Sequence, residues 1–197
     1  MKTNGRPNEK PAPMNERVQL DFGELVPAAF LLRENRFVVQ VEHQEEVYRA
    51  HLANPGRLEE LLTPGRTLWI HPVHDPGRKT QFDAVLADLD DTLVSLNSQL
   101  PNRLVAAALH AGTLPGLPDV QNIEREVTRG HSRIDFAVQE KPTVHWIEVK
   151  SVTLVASGTA RFPDAPTRRG TRHLQVLQEI VAAGERATVL FVIQRED

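Results

Sequence analysis

The sequence predicts two domains of different class in 197 residues: a compact β barrel over 18–96, then an α/β domain over 97–197, α+β or α/β overall. Two observations carry this. Up to Leu96 the apolar residues fall in short Val-, Tyr- and Trp-containing runs broken by Pro/Gly turns. From Asn97 onward the pattern changes to helical spacing interleaved with strands.

Residues 1–17, rich in Lys, Asn, Pro and Glu, cannot bury a core and read as a flexible tail with no secretory leader. Strand patterns follow at Phe30–Leu32, Phe37–Val41, Val47–Leu52 and Thr67–Ile70. Asn54-Pro55-Gly56 and Pro64-Gly65 mark turns, the first with Gly56 at positive φ, and a short helix is expected over Leu58–Leu62. Several short strands broken by one small helix suit a barrel of the OB type.

In the second half, Leu104, Val105, Ala108 and Leu109 give a helix over Asn102–Ala111, stopped by Gly112. Strands are expected at about 120–127, 132–138 and 144–151. A long helix over 167–183 then presents Leu174, Leu177, Ile180 and Val181, with Gly184 as its cap. Ala187–Gln194 is almost wholly apolar, the pattern of a buried sheet position. The order is helix, three strands, helix, strand.

Composition narrows the function. No apolar run approaches the roughly 20 residues a membrane helix needs. The chain has no cysteine, which excludes disulfide scaffolds and thiolate metal sites and fits a reducing, cytoplasmic setting. Net charge is −3, so any affinity for nucleic acid must come from local basic patches. Arg161, Arg168, Arg169 and Arg172 form one such patch; Arg125, Arg129 and Arg133 form a second, diluted by Glu124 and Glu126. His71 and His74, three apart on a strand, face opposite sides and read as structural.

The chemistry-bearing pattern lies on the second and third strands. Alternation puts Ile134, Phe136 and Val138 on one face and Asp135 on the other; Ile147 and Val149 face the core while Glu148 and Lys150 share the opposite side. A hairpin turning near Lys141/Pro142 sets Asp135 opposite Glu148. Two adjacent carboxylates repel unless a cation lies between them, and a hard divalent ion such as Mg²⁺ or Mn²⁺ suits an all-oxygen site. Lys150 would stand beside that ion, helping a water nucleophile or charge on a phosphate. The alternative is a surface ion-pair ladder of the same three residues.

The surrounding residues add weight to the first. Gly130-His131-Ser132-Arg133-Ile134-Asp135-Phe136, Ile147–Leu154, Phe162-Pro163-Asp164-Ala165 and Arg169-Gly170 with His173-Leu174 resemble the SfsA (sugar fermentation stimulation protein) family. So do Arg36-Phe37, His51 with Asn54-Pro55-Gly56, and Asn102-Arg103-Leu104. The resemblance implies an N-terminal OB-like domain and a C-terminal PD-(D/E)XK nuclease-like domain, in which Asp135 and Glu148 hold a metal and Lys150 completes the catalytic group. It also implies that Glu126 is a further acidic contributor. The family carries an acidic residue and a Val where Arg168 and Pro166 stand here, and it continues through a further helix and strand beyond residue 197.

The expected function is therefore DNA binding with a Mg²⁺-dependent phosphodiesterase site. DNA, double- or single-stranded and without sequence preference, would be contacted by Arg133, Arg168, Arg169, Arg172 and His173. The rivals are a non-catalytic DNA-binding module on the same fold and a small-molecule hydrolase. Oligomeric state is open, a homo-oligomer included.

Overall fold

Alternating burial along short β-branched and aromatic segments curls the first half of the chain into a barrel. The structure is a computed structural model describing residues 18–90, 92–117, 120–140, 142–163 and 168–195. The expected tail, 1–17, lies outside the described residues, as do Lys141 of the hairpin turn and Asp164, Ala165 and Pro166.

Six strands make the N-terminal domain: β1 (Val26–Asn35), β2 (Val38–His43), β3 (Glu46–Leu52), β4 (Thr67–Pro72), β5 (Phe82–Leu89) and β6 (Thr92–Ser95). They pair in the order β3-β2-β1-β4-β5-β6, and β3 also pairs with β5 in parallel, His51 against Asp83. That pairing closes a ring of five strands and leaves β6 on its outside, the OB arrangement. Val39, Val41, Ala50, Leu52, Leu68 and Ile70 point inward and are fully buried. Each large aliphatic so buried is worth about 1.5–3 kcal/mol relative to exposure.

Three local expectations change here. Leu58–Leu62 is a single turn, not a helix: the Leu61 and Leu62 amides both donate to the Leu58 carbonyl (3.0 and 2.9 Å). Leu61 still goes inward and closes the barrel. Gly56 needs no positive φ, because Asn54 Oδ1 accepts its amide at 2.9 Å in an Asx turn; the positive φ (55°) falls on Leu58. The strands β5 and β6 were not singled out by the sequence pattern.

One side chain organises the turns at this end of the barrel. The Arg33 guanidinium donates to the carbonyls of Asn35 (3.2 Å), Arg36 (2.7 Å), Asn54 (3.0 Å), Gly56 (2.7 Å) and Arg57 (2.8 Å). Five donors in a rigid planar fork match these carbonyls as a lysine cannot.

The C-terminal domain contains α1 (Leu100–Ala111), β7 (Gln121–Arg129), β8 (Ser132–Glu140), β9 (Thr143–Val152), β10 (Leu154–Ala156), β11 (Thr159–Arg161), α2 (Arg168–Ala182) and β12 (Arg186–Ile193). Apart from the small β10–β11 hairpin, this is the helix, three strands, helix, strand order the sequence predicts. Pro101 sits in the first turn of α1, and Gly112 ends it in the left-handed region (φ 65°). The sheet runs β12-β9-β8-β7, with β12 parallel to β9 and the rest antiparallel. Phe136 pairs with Ile147, Val138 with His145 and Glu140 with Thr143, the register the hairpin reading predicts.

Helices cover both faces. α1 packs Val105 and Leu109 against Phe136, Val138, Ile147 and Val149. α2 packs Val176, Leu177 and Ile180 against Ile134, Ala137 and Trp146. Ile134 is therefore not on the face of Phe136, as strict alternation predicts; the strand switches faces at Asp135. Leu174 and Val181, expected inward, are 49% and 55% exposed, and the buried stripe of α2 is His173, Val176, Leu177 and Ile180. β12 lies at the sheet edge instead of in a buried position, with Phe191 and Ile193 more than half exposed.

The domains are stapled by Ser98 Oγ donating to the Ala53 carbonyl (2.8 Å) and by an Arg195–Glu60 ion pair (2.6 Å). No helix among the described residues is long and apolar enough to cross a membrane. Replacing Arg33 with Ala strands several partly buried carbonyls and is expected to cost about 1–3 kcal/mol in urea unfolding. Arg33→Lys should recover less than half of that loss.

Candidate functional site

The site forms where β8 leaves both of its neighbours. Arg125 pairs with Phe136 and Val127 with Ile134, which sets Glu126 across from Asp135, yet neither has a ladder partner of its own. The backbone of Glu126 is in the left-handed region there (φ 56°), an uncommon conformation for a non-glycine residue. On the other side, the β8–β9 ladder ends at Phe136/Ile147, one residue short of Asp135/Glu148. The freed Val149 amide is taken by the side chain of Asp135, whose Oδ2 accepts it at 2.7 Å. Asp135 Oδ1 accepts from Asn102 Nδ2 of α1, also at 2.7 Å.

Glu148, one residue before that amide, turns toward α2 and is only 2% exposed. Its Oε1 accepts from Lys150 Nζ and from His173 Nδ1. Arg169 Nε, one helical turn before His173, donates to His173 Nε2 at 3.3 Å. An arginine cannot accept, so this bond puts the imidazole proton on Nδ1, aimed at Glu148. The second Glu148 oxygen, Oε2, is buried and has no hydrogen-bond partner among the described residues. Such an atom costs stability unless something pairs with it.

Electrostatically the two acids oppose one another. Burial first, and then the nearby charge of Glu148, push the Asp135 carboxyl above the ordinary aspartate range. The Val149 amide, Asn102 and the Lys150 ammonium pull the other way and do not win.

Glu148 is thus buried beneath α2 with Lys150 half-buried on the same oxygen, while the half-buried Asp135 turns to Asn102 of α1 within reach of the charge of both, so an exposed ion-pair ladder does not describe the three. Glu126 is not brought in: its carboxylate pairs with Arg133 Nε at 2.7 Å, with both side chains largely in solvent. Arg133 is committed to that pair. Arg168, Arg169 and Arg172 are exposed on the first turns of α2, whereas His173, expected on that solvent face, is buried against Glu148. Trp146 packs in the core, its Nε1 donating to Glu185 Oε2 at 2.8 Å. His71 is structural, its Nδ1 2.8 Å from the Glu24 carbonyl. Sequence reasoning missed Asn102 as a partner of Asp135 and the Arg169–His173 pair behind Glu148. The second was visible in the i, i+4 spacing of the pair and in the inward stripe that begins at His173.

A divalent ion fits the donor set in part. Two hard carboxylates, one with an unpartnered buried oxygen, suit Mg²⁺, Mn²⁺ or Ca²⁺. Among the described residues no group of three or more His, Asp or Glu side chains converges on one point, so protein side chains alone do not complete a coordination sphere.

Residues 31–96 match the SfsA N-terminal OB domain, and residues 99–197 match the sugar fermentation stimulation protein RE domain. The chain belongs to the SfsA family. It is 48% identical to the sugar fermentation stimulation protein homolog of Chloroflexus aurantiacus, over 91% of this chain and 70% of that one. It is 49% identical to the homolog of Moorella thermoacetica, over 88% of this chain and 75% of the relative. Among solved structures, Pyrococcus furiosus SfsA in complex with Ca²⁺ superposes with a TM-score of 0.82 at 30% identity, covering 89% of this chain and 75% of that one. Between the two matched SfsA domains lie only residues 97 and 98, where Ser98 makes its staple to Ala53.

A carboxyl whose pKa is raised by folding binds its proton more tightly in the folded state. Its contribution to stability is full at acid pH and is lost as pH rises through the raised value. Asp135→Asn should therefore melt a few degrees above the parent in EDTA at pH 8. The gap should shrink toward pH 4; an equal gap at both ends would remove Asp135 as its source.

Proposed function

We propose that this SfsA protein binds DNA and hydrolyses phosphodiester bonds with the help of a divalent ion held by Asp135 and Glu148. The single observation that carries the reading is the buried Glu148 carboxylate with one oxygen lacking a partner, set beside Asp135 at a break in the sheet. The SfsA of Pyrococcus furiosus, similar in fold and sequence, is described in complex with Ca²⁺, a hard cation of the same kind.

In this reading Asn102 and the Val149 amide hold Asp135 in place, and His173, backed by Arg169, holds Glu148. A bound ion supplies Lewis-acid polarisation of a phosphoryl oxygen and a more acidic water. Lys150, with a side chain 14% exposed, presents its ammonium to the charge that builds on the phosphate, or takes part in positioning water. The exposed Arg168 and Arg172 bind flanking phosphates near the start of α2, where helix N–H groups and the dipole also favour anions.

A second reading has its own observation. The Lys150 ammonium already neutralises Glu148 from within and His173 hydrogen-bonds the same oxygen, so the same fold can serve as a DNA-binding module without hydrolysis. The two separate experimentally. With Mn²⁺ or Mg²⁺ the purified protein should nick plasmid DNA, and Asp135→Ala and Lys150→Ala should each lose at least about 100-fold in rate. Equal cleavage by all three would assign the activity to a contaminant. Arg168→Glu combined with Arg172→Glu should abolish gel shifts at low salt while leaving the fold intact by circular dichroism. Unchanged shifts would take the start of α2 out of the DNA path.

A further inference from the structure

A cleft of about 470 Å³ opens between the two domains and reaches the site from the side of Lys150. One wall is the pair of turns gathered by Arg33, presenting Arg36 and Asn54-Pro55-Gly56. The other is the strand end after Lys150 together with Arg161 and Phe162 at the end of the β10–β11 hairpin. Among the described residues the lining includes three cations, Arg36, Lys150 and Arg161, and no acid. Lys150 is paired with Glu148, but Arg36 and Arg161 make no ion pair among the described residues and are exposed. In a chain of net charge −3, an uncompensated pair of arginines facing one cleft is a local field for an anion.

The aromatic in the cleft narrows what that anion is. Phe162 is 41% exposed, its ring tilted at 60° against that of Phe191 at 5.5 Å between centroids. A braced, half-exposed ring next to backbone-binding cations is the arrangement on which unstacked bases are held, because every base offers a π face. A duplex keeps its bases stacked inward and cannot use that ring.

We infer that this interdomain cleft is the seat of single-stranded DNA, with a base on Phe162, phosphates at Arg36 and Arg161, and the next phosphodiester delivered toward Lys150 and the two acids. The inference rests on the DNA-binding part of the function proposed above and gives it a strand preference. It assigns the N-terminal barrel a direct part in the site through Arg36.

Fluorescence anisotropy in EDTA, which separates binding from hydrolysis, tests it with a labelled oligodeoxynucleotide offered as a single strand and as a hairpin duplex. The single strand should bind about 10-fold more tightly than the duplex. Phe162→Ala should weaken single-strand binding by about 10-fold, and Phe162→Tyr, which keeps the ring, should not. Arg36→Ala and Arg161→Ala should each flatten the slope of log affinity against log salt by about 0.7, the loss of one phosphate contact. Because Phe162 meets Phe191, melting curves accompany each variant, and the tyrosine variant and the two arginine variants carry the test if Phe162→Ala unfolds. Equal affinity for the duplex, or single-strand binding indifferent to Arg36→Ala and Arg161→Ala, overturns the inference even if Mn²⁺-dependent cleavage is present. Tight, ring-dependent single-strand binding with no cleavage in any metal supports the cleft and overturns hydrolysis instead.

Discussion

A carboxylate taken almost wholly out of water is the constraint around which the C-terminal domain is arranged. An isolated ionised carboxylate in a protein interior carries a penalty of several kcal/mol unless it is paired and hydrogen-bonded. Glu148 meets that demand on one oxygen only, from Lys150 on its own strand and His173 on the facing helix. The need explains a histidine in the buried stripe of α2, and Arg169 one turn earlier settles which imidazole nitrogen carries the proton. The helix is thus docked by a polar contact as well as by Val176, Leu177 and Ile180. Removing one partner of such a group is far more damaging than replacing the whole arrangement with apolar residues, so stability alone does not account for a buried carboxylate here.

Much of this was legible in the order of residues. The three-strand hairpin pattern, its turn near Pro142 and the resulting register place Asp135 and Glu148 side by side before any coordinate is known, because antiparallel pairs sum to a constant. Two things were hidden. Alternation assumes a regular strand, and β8 ceases to be regular at Asp135, so Ile134 and Phe136 end on opposite faces. Hydropathy likewise assigned Leu174 and Val181 inward because they are apolar, when the geometry of α2 turned His173 inward in their place. In both cases a polar group at the site overrode a pattern that holds elsewhere in the same element. The small helix expected at Leu58–Leu62 failed for a different reason: seven residues between two proline-glycine turns leave room for one turn, and burying Leu61 in the barrel is enough to hold it.

The contrast between Glu126 and Asp135 shows why spacing alone does not assign a carboxylate to a site. The register sets them across from each other on neighbouring strands. Glu126 is held in the left-handed region and its carboxylate meets Arg133 in solvent, while Asp135 turns to the opened edge of β9. What separates them is access to unpaired backbone: the Val149 amide is available only because the β8–β9 ladder ends one residue early. A regular ladder would have used that amide and left Asp135 with no reason to stay.

The distribution of charge then connects the two domains. The first 96 residues hold 11 Lys and Arg against 15 Asp and Glu, so the barrel as a whole repels a polyanion. Among the described residues its one charged contribution to the cleft is nonetheless a cation, Arg36, on a turn whose carbonyls are held by a second arginine, Arg33. Arg33 spends its guanidinium on backbone and so acts as scaffold, leaving Arg36 to face outward. Ser98 and Arg195 keep that turn opposite the hairpin bearing Arg161. With attraction confined to a few side chains and repulsion spread over the surface, binding should be local and sharply weakened by salt, since exposed charges more than about 8 Å apart are screened at physiological ionic strength. Under the proposed reading, an acidic protein built this way would hold a strand at the cleft and repel it elsewhere.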